Sequence, residues 1–447
     1  VISATELTTL VDEGRVHTVV CAFSDAYGRM LGKRLDARFF LDHALDDGTH
    51  ACDYLLTIDM EMEPVPGYEV ASWDQGYGDM HLVPDLSTLR IADWSPGTAW
   101  VICNLRTTDD DRPIGVSPRQ ILQRQLERAG SQIPMGASEL EFYIYADSYR
   151  EAAESNYRDL SPAGWYIEDY HLLQGARVEP YVGAVRAALT NSGVPVESSK
   201  GEWGRGQHEI NIAYCDVLQM ADRHSLMKHA MKEIAEQQGI SVTFMAKPHA
   251  GEAGSSCHLH LSMWESDRNL FADDQGEPSV VFRQFLAGWM THTPELMAWY
   301  APTINSYKRY QDGSWAPTAL AWSRDNRTAG FRIVGHGDSL RIECRIPGAD
   351  VNPYLVFAAA LASGLDGIER QLEPPESFTG DAYQDRSLPL LPHSLEQAVE
   401  IFATSEFNRR TFGDAVVDHY AHFARTEISA FAAAVTDFEV GRYFEQI

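Results

Sequence analysis

Four short segments place charged or polar side chains at every second position: Glu139-Leu140-Glu141, Glu209-Ile210-Asn211, His258-Leu259-His260 and Arg341-Ile342-Glu343-Cys344-Arg345. In an extended strand, residues i and i+2 share a face. Each segment therefore shows its polar groups to one side and its apolar residues to the other. Taken singly, such a strand is an ordinary exposed sheet face, but four together outline a charged cavity. If Glu139, Glu141, Glu202, Glu209 and Glu343 converge, each pair about 4 Å apart repels by about 4 kcal/mol at an effective dielectric of about 20, and only cations hold them there. Oxygen-rich ligands with an imidazole suit Mg²⁺ or Mn²⁺ better than zinc. Two such ions with arginines are what phosphoryl transfer uses to bridge nucleotide oxygens and spread charge. There is no G-x-x-x-x-G-K-[ST] loop, so the nucleotide is not held in P-loop fashion.

These segments must sit on a sheet backed by helices. The first hundred residues alternate β-rich runs with turns (HTVVCAFSD, AYGRMLGKRL, MHLVPD, LRIAD, AWVICNL), which predicts a small sheet domain. The acidic stretch Thr107 to Pro113 breaks the pattern, and Pro118 opens an amphipathic helix that stops at Gly130. The reading is two domains, 1–112 and 113–447. In the second, strand-like segments (MGASELEFYIYA, QHEINIAY, SVTFMAKP, CHLHLSMW, FRIVG, LRIECRI) alternate with long helical ones, ADRHSLMKHAMKEIAEQQG and NPYLVFAAALASGLDG among them. Tyr354 to Leu365 is too short to cross a bilayer and predicts a buried helix. Asp414 to Phe444 predicts amphipathic outer helices.

The chain of 447 residues has 36 Lys and Arg against 64 Asp and Glu, a net charge of −28 that repels phosphate backbones and anionic membranes. Nucleic-acid and membrane partners are not expected. With 44% hydrophobic and 22% charged residues the chain reads as globular and not disordered. Six scattered cysteines without a C-x-x-C pair, and no signal-peptide pattern, point to a reducing cytoplasm.

Beyond these physical readings, the motifs resemble the glutamine synthetase family, type I, over nearly the whole length. They run in order: Glu139-Leu140-Glu141-Phe142, Glu202 with Gly206-Gln207-His208-Glu209, Phe244-Met245-Ala246-Lys247-Pro248 and Gly254-Ser255-Ser256-Cys257-His258-Leu259-His260. Asn305-Ser306-Tyr307-Lys308-Arg309, Asn326-Arg327-Thr328, Arg341 through Arg345 and Asn352-Pro353-Tyr354 follow. The resemblance implies an α+β fold: an N-terminal β-grasp domain, then a catalytic domain with an open, curved antiparallel sheet flanked by helices. It implies a dodecamer of two hexameric rings with active sites between subunits. It assigns Glu141, Glu202 and Glu209 to one metal and Glu139, His258 and Glu343 to the other, two or more Mg²⁺ or Mn²⁺ ions per site. Glu197, His260, Ser262 and Arg341 fall to ATP, with Arg327 and Arg332 on its phosphates. Gly254, Arg309 and Arg345 fall to glutamate.

The departures from the family pattern speak to the acceptor. Where glutamine synthetases carry a Pro-Gly-Tyr-Glu flap, this chain reads Asp312-Gly313-Ser314-Trp315-Ala316-Pro317, so Trp315 replaces the flap glutamate. The Asp-Gly-Ser-Ser ammonium loop becomes Asp53-Tyr54-Leu55-Leu56, and Ala253 replaces an asparagine. An apolar, aromatic acceptor site is similar to that of the γ-glutamyl–amine ligases, which join glutamate to polyamines, ethanolamine or alkylamines in amine catabolism. The expected reaction is ATP-dependent ligation of the glutamate γ-carboxylate to a primary amine through γ-glutamyl phosphate. Asp53 is the candidate base, Arg327 the charge stabiliser, and Trp315 a cation–π surface worth about 0.5 to 2 kcal/mol. Two alternatives stand beside it: a true glutamine synthetase using ammonium, and an inactive structural or sensing homologue. Tyr383 lies near the family's adenylylated tyrosine, but its flanks do not match, so that regulation is not expected.

Overall fold

A computed structural model describes residues 1–447. The N-terminal part is a five-stranded mixed sheet of β1 (Thr18–Ser24), β2 (Met30–Asp36), β3 (Thr49–Cys52), β4 (Asp79–Ile91) and β5 (Thr98–Thr107) in the order β2-β1-β5-β4-β3. β1 and β2 form an antiparallel hairpin, and β5 runs parallel to β1. The helical stretch between β2 and β3 buries Ala37, Phe40 and Ala44 against this sheet, the arrangement of a β-grasp. The two expected runs MHLVPD and LRIAD are one strand, β4, with a bulge between Asp85 and Arg90 that resets its register. β3 was not expected; its four residues are too short to show a period.

The second sheet has ten strands: β6 (Ile133–Tyr145), β7 (Val196–Gly201), β8 (Gln207–Ile212), β9 (Cys215–Asp216), β10 (Ser241–Thr243), β11 (Cys257–Glu265), β12 (Arg268–Asn269), β13 (Trp322–Arg324), β14 (Phe331–Val334) and β15 (Arg341–Cys344). Its main order is β13-β14-β15-β11-β6-β8-β7. All pairs are antiparallel except β13 with β14. Of the run SVTFMAKP only Ser241–Thr243 is strand. The helix opened by Pro118 ends at Ala129 with Gly130 as its cap.

Alternation decides the layers. Leu140, Phe142, Ile210, Leu259, Leu261, Ile342 and Cys344 are all buried on the face that packs on helices Val217–Gln237 and Pro353–Glu369. The second helix is buried from Pro353 through Gly367. It lies against helix Val280–His292, where a Cβ on Gly288 would meet the Ser363 carbonyl oxygen at 2.2 Å, so only glycine permits that approach. Arg119 ties the first sheet to a helix that backs the second: it lies 2.8 Å from Asp85 of β4 and 2.9 Å from Asp222 of helix Val217–Gln237. The C-terminal run forms two helices, Asp414–Ala433 and Asp437–Tyr443. No helix is long and apolar enough to cross a membrane.

Candidate active site

The polar faces of β6, β7, β8, β11 and β15 meet by register. Glu139 pairs with His258 across β6 and β11, Glu141 with Glu209 across β6 and β8, His260 with Glu343 across β11 and β15, and Lys200 with Glu209 across β7 and β8. Directly opposed like charges such as Glu141 and Glu209 are destabilising unless something positive lies between them. The face lines a cavity of about 1230 Å³ that holds all six residues expected to bind metal. An adjoining cavity of about 420 Å³ shares Glu139 and Glu197 with it and is lined by His260, Ser262 and Arg341. The expected ATP residues thus gather in two places, with Arg327 and Arg332 in the larger cavity.

Within the cluster, Glu141, Glu202 and Glu209 bring ligand atoms within 4.8 Å of one another, and so do Glu139, Glu209 and His258. A third triad joins Glu139 and Glu343 through His260, a residue expected at the nucleotide alone. His258 Nδ1 lies 3.2 Å from Glu139 and 3.7 Å from Glu343. Burial and the charge of Glu202 push Glu141 up to about 7, against the Ser256 N–H and two arginines. Burial and the charges of Glu139, Glu202 and Glu141 drive Glu209 well above its ordinary value. Burial also opposes the charge of Glu343, but His260, His258 and Arg345 outweigh it and hold the group at about 2. Burial and Arg345 lower His258 to about 4, leaving a neutral imidazole whose Nε2 is buried without a hydrogen-bond partner. Carboxylates that cannot all stay charged, with an orphaned imidazole nitrogen among them, form a donor set that fits hard divalent cations.

Arg345 donates to Glu343 Oε1 at 2.6 Å and Arg332 to its Oε2 at 2.9 Å. Arg309 is fully buried and donates to the carbonyls of Ile346 and Arg345 and to Ser256 Oγ, leaving only Nε unpartnered. Its guanidinium is largely committed to holding the loop after β15. Gly254 packs on it: a Cβ there would sit 2.5 Å from Arg309 Cγ and 2.8 Å from the Ala246 carbonyl oxygen.

Trp315 lines the cavity, whereas Asp53 does not. Asp53 starts a short turn after β3, and its Oδ2 accepts the Gly78 N–H at 3.1 Å. Burial raises its pKa against that hydrogen bond, with Asp79 adding to the rise. Within one chain the structure therefore separates Asp53 from the other site residues. Glu61 and Glu63, close behind it, are exposed.

Several cavity residues had no role in the sequence reading. Lys200 pairs with Glu202, its i+2 neighbour, and its Nζ lies 4.6 Å over the Tyr170 ring. Gln207 donates to Glu141 and to the Gly254 carbonyl. Buried Glu168 lies 3.1 Å from His208. Trp203 meets Trp315 with ring centroids 5.8 Å apart. Applying the i+2 rule outward from Glu202 and Glu209 finds Lys200 and Gln207, but no local signal brings Trp203 to Trp315.

Residues 115–443 match the model of the glutamine synthetase catalytic domain. The chain belongs to the glutamine synthetase family. Within the family it is 48% identical to the gamma-glutamylethanolamide synthetase of Streptomyces coelicolor, over 99% of this chain and 96% of that protein. It is 38% identical to a glutamate–isopropylamine ligase of a Pseudomonas species, over 98% and 97%. The GmaS/ADP complex superimposes with a TM-score of 0.85 at 28% identity, covering 98% of this chain and 99% of that one. Tyr383 is buried and donates its hydroxyl to the Ala316 carbonyl at 3.0 Å.

Proposed function

We propose that this protein joins the γ-carboxylate of glutamate to an organic primary amine at the expense of ATP. The observation that carries the reading is Trp315: an indole stands at the cavity that holds the carboxylate and arginine clusters, where glutamine synthetases place a glutamate. The two relatives named for amide formation with ethanolamine and isopropylamine support it.

In this reading Glu141, Glu202 and Glu209 hold one cation, and Glu139, His258 and Glu343 hold another, of the Mg²⁺ or Mn²⁺ class. When bound, such ions neutralise phosphate oxygens and polarise the transferring group. Glu197, His260, Ser262 and Arg341 seat the nucleotide. Arg327 and Arg332 face its phosphates, and Gly254, Arg309 and Arg345 form the glutamate end. A glutamate γ-oxygen attacks the γ-phosphorus and ADP leaves. The amine nitrogen, after giving up a proton, attacks the acyl carbon of γ-glutamyl phosphate; phosphate departs and the amide loses its second proton to form. Arg327 stabilises the charge of the tetrahedral species. Asp53 accepts the first proton and is supplied by a neighbouring copy, as in a dodecamer of two hexameric rings. Residues 1–112 would then be the domain that reaches the neighbour and 113–447 the domain that carries the cations. Six free cysteines accord with a cytoplasmic setting, and the likeness to amine ligases accords with a role in amine catabolism.

The test is phosphate release from ATP, Mg²⁺ and glutamate with ammonium, ethanolamine, short alkylamines, aromatic amines and spermine, with products confirmed by mass. Release with organic amines and little with ammonium supports the reading. Release mainly with ammonium replaces it by glutamine synthesis, and none with any acceptor by a non-catalytic role.

A further inference from the structure

Trp203 and Trp315 are far apart in sequence, yet their rings meet at 5.8 Å and 57° on the cavity wall. Each is nearly half exposed, 45% and 47%. Trp315 holds a left-handed φ of 66°, a costly backbone for a bulky residue and one that persists where surrounding structure or function demands it.

The same cavity is lined by an acid without a partner, Asp169. The Asp169 N–H donates to the Glu202 carbonyl at 3.0 Å, which fixes Asp169 next to the backbone of Trp203, and its side chain makes no ion pair or hydrogen bond. The other acids of this wall are committed: Glu168 to His208, Glu179 to Arg186 and Glu202 to Lys200. Glu197 lies where the nucleotide cavity opens.

We propose that Trp203, Trp315 and Asp169 form the acceptor subsite, and that it selects a short primary monoamine over both ammonium and polyamines. The inference rests on the amine-ligase reading and narrows it. The Asp169 carboxylate anchors one ammonium, while the two indoles cover its alkyl carbons and add cation–π attraction. Bare ammonium leaves the indoles in water. Glu197 also lines this cavity but is assigned to the nucleotide, so the second charge of a diamine is left to meet the Lys200 ammonium over Tyr170. Asp53 from a neighbour keeps the separate task of proton acceptor.

The experiment compares propylamine with 1,3-diaminopropane, which has the same carbon chain and one more charge, on the intact purified protein. The wild-type protein is expected to favour propylamine in kcat/KM by about tenfold or more. Trp203→Ala and Asp169→Asn are each expected to raise KM for propylamine about tenfold, with KM for glutamate and ATP within about twofold. Trp203→Phe recovers most of the loss. Equal use of the two amines, or an unchanged propylamine KM in both variants, overturns the subsite. If wild-type protein releases no phosphate with any organic amine, the ligase reading itself has failed, an outcome distinct from the other two.

Discussion

The Ser256 backbone N–H donates to Glu141 Oε2 at 2.7 Å, so β6 is stitched to the residue just before β11 through a buried carboxylate. The bond fixes the carboxylate among Glu202 and Glu209. Glu141→Gln keeps the shape and removes the charge. It is expected to lower glutamate-dependent phosphate release at least about 100-fold and to remove one cation from the stoichiometry in a Mn²⁺ titration. Unimpaired turnover would refute the cation assignment.

Asp53 lies outside both cavities of its own chain, so the proposed base role requires a neighbouring copy. Asp53→Asn is expected to slow amide formation much more than glutamate-dependent phosphate transfer, and equal loss of both sinks the base role. Mixing Asp53→Asn with Glu141→Gln subunits, followed by reassembly, should restore activity at interfaces that combine two intact halves. A mixture as inactive as its parents argues that Asp53 serves no neighbouring site.

Gly254 and Arg309 touch so closely that a methyl group between them forces one to move. Gly254→Ala is expected to cost about 1 to 3 kcal/mol of stability. Because Arg309 holds the loop that carries Arg345, KM for glutamate should rise with it. A melting temperature and a glutamate KM both at wild-type values would show that the contact is dispensable.

His419, on helix Asp414–Ala433, is buried against Tyr68 of the N-terminal part. Burial, with His422 nearby, lowers its pKa to about 3. The unfolded chain, near 6.5, binds that proton more readily, so stability is complete above about pH 6.5. It falls by about 1.4 kcal/mol per pH unit below that, until the folded imidazole also titrates. His419→Phe should flatten this part of the stability profile in urea melts at pH 7 and pH 5. An unchanged slope between those pH values assigns the acid sensitivity to other groups.

Much of the site was legible because a strand's period is local. Glu139 and Glu141, or His258 and His260, share a face whatever lies beyond them, and their apolar neighbours then mark the side that packs on helices. The buried helix around Tyr354 was legible for the same reason, since an unbroken apolar run has no face to give to water. Short strands such as β3 carry too few residues to show a period, and the bulge in β4 disguised one strand as two.

By itself the sequence determined which side chains travel together, the excess of carboxylate over local positive charge, and, through its ordered motifs, the family. Only the tertiary structure decided that Glu141 opposes Glu209 across a strand pair, that Arg309 is spent on backbone carbonyls, that Trp203 faces Trp315, and that Asp53 stands apart from the cavity of its own chain. Such relations depend on register and on packing between residues distant in sequence, which no local period encodes.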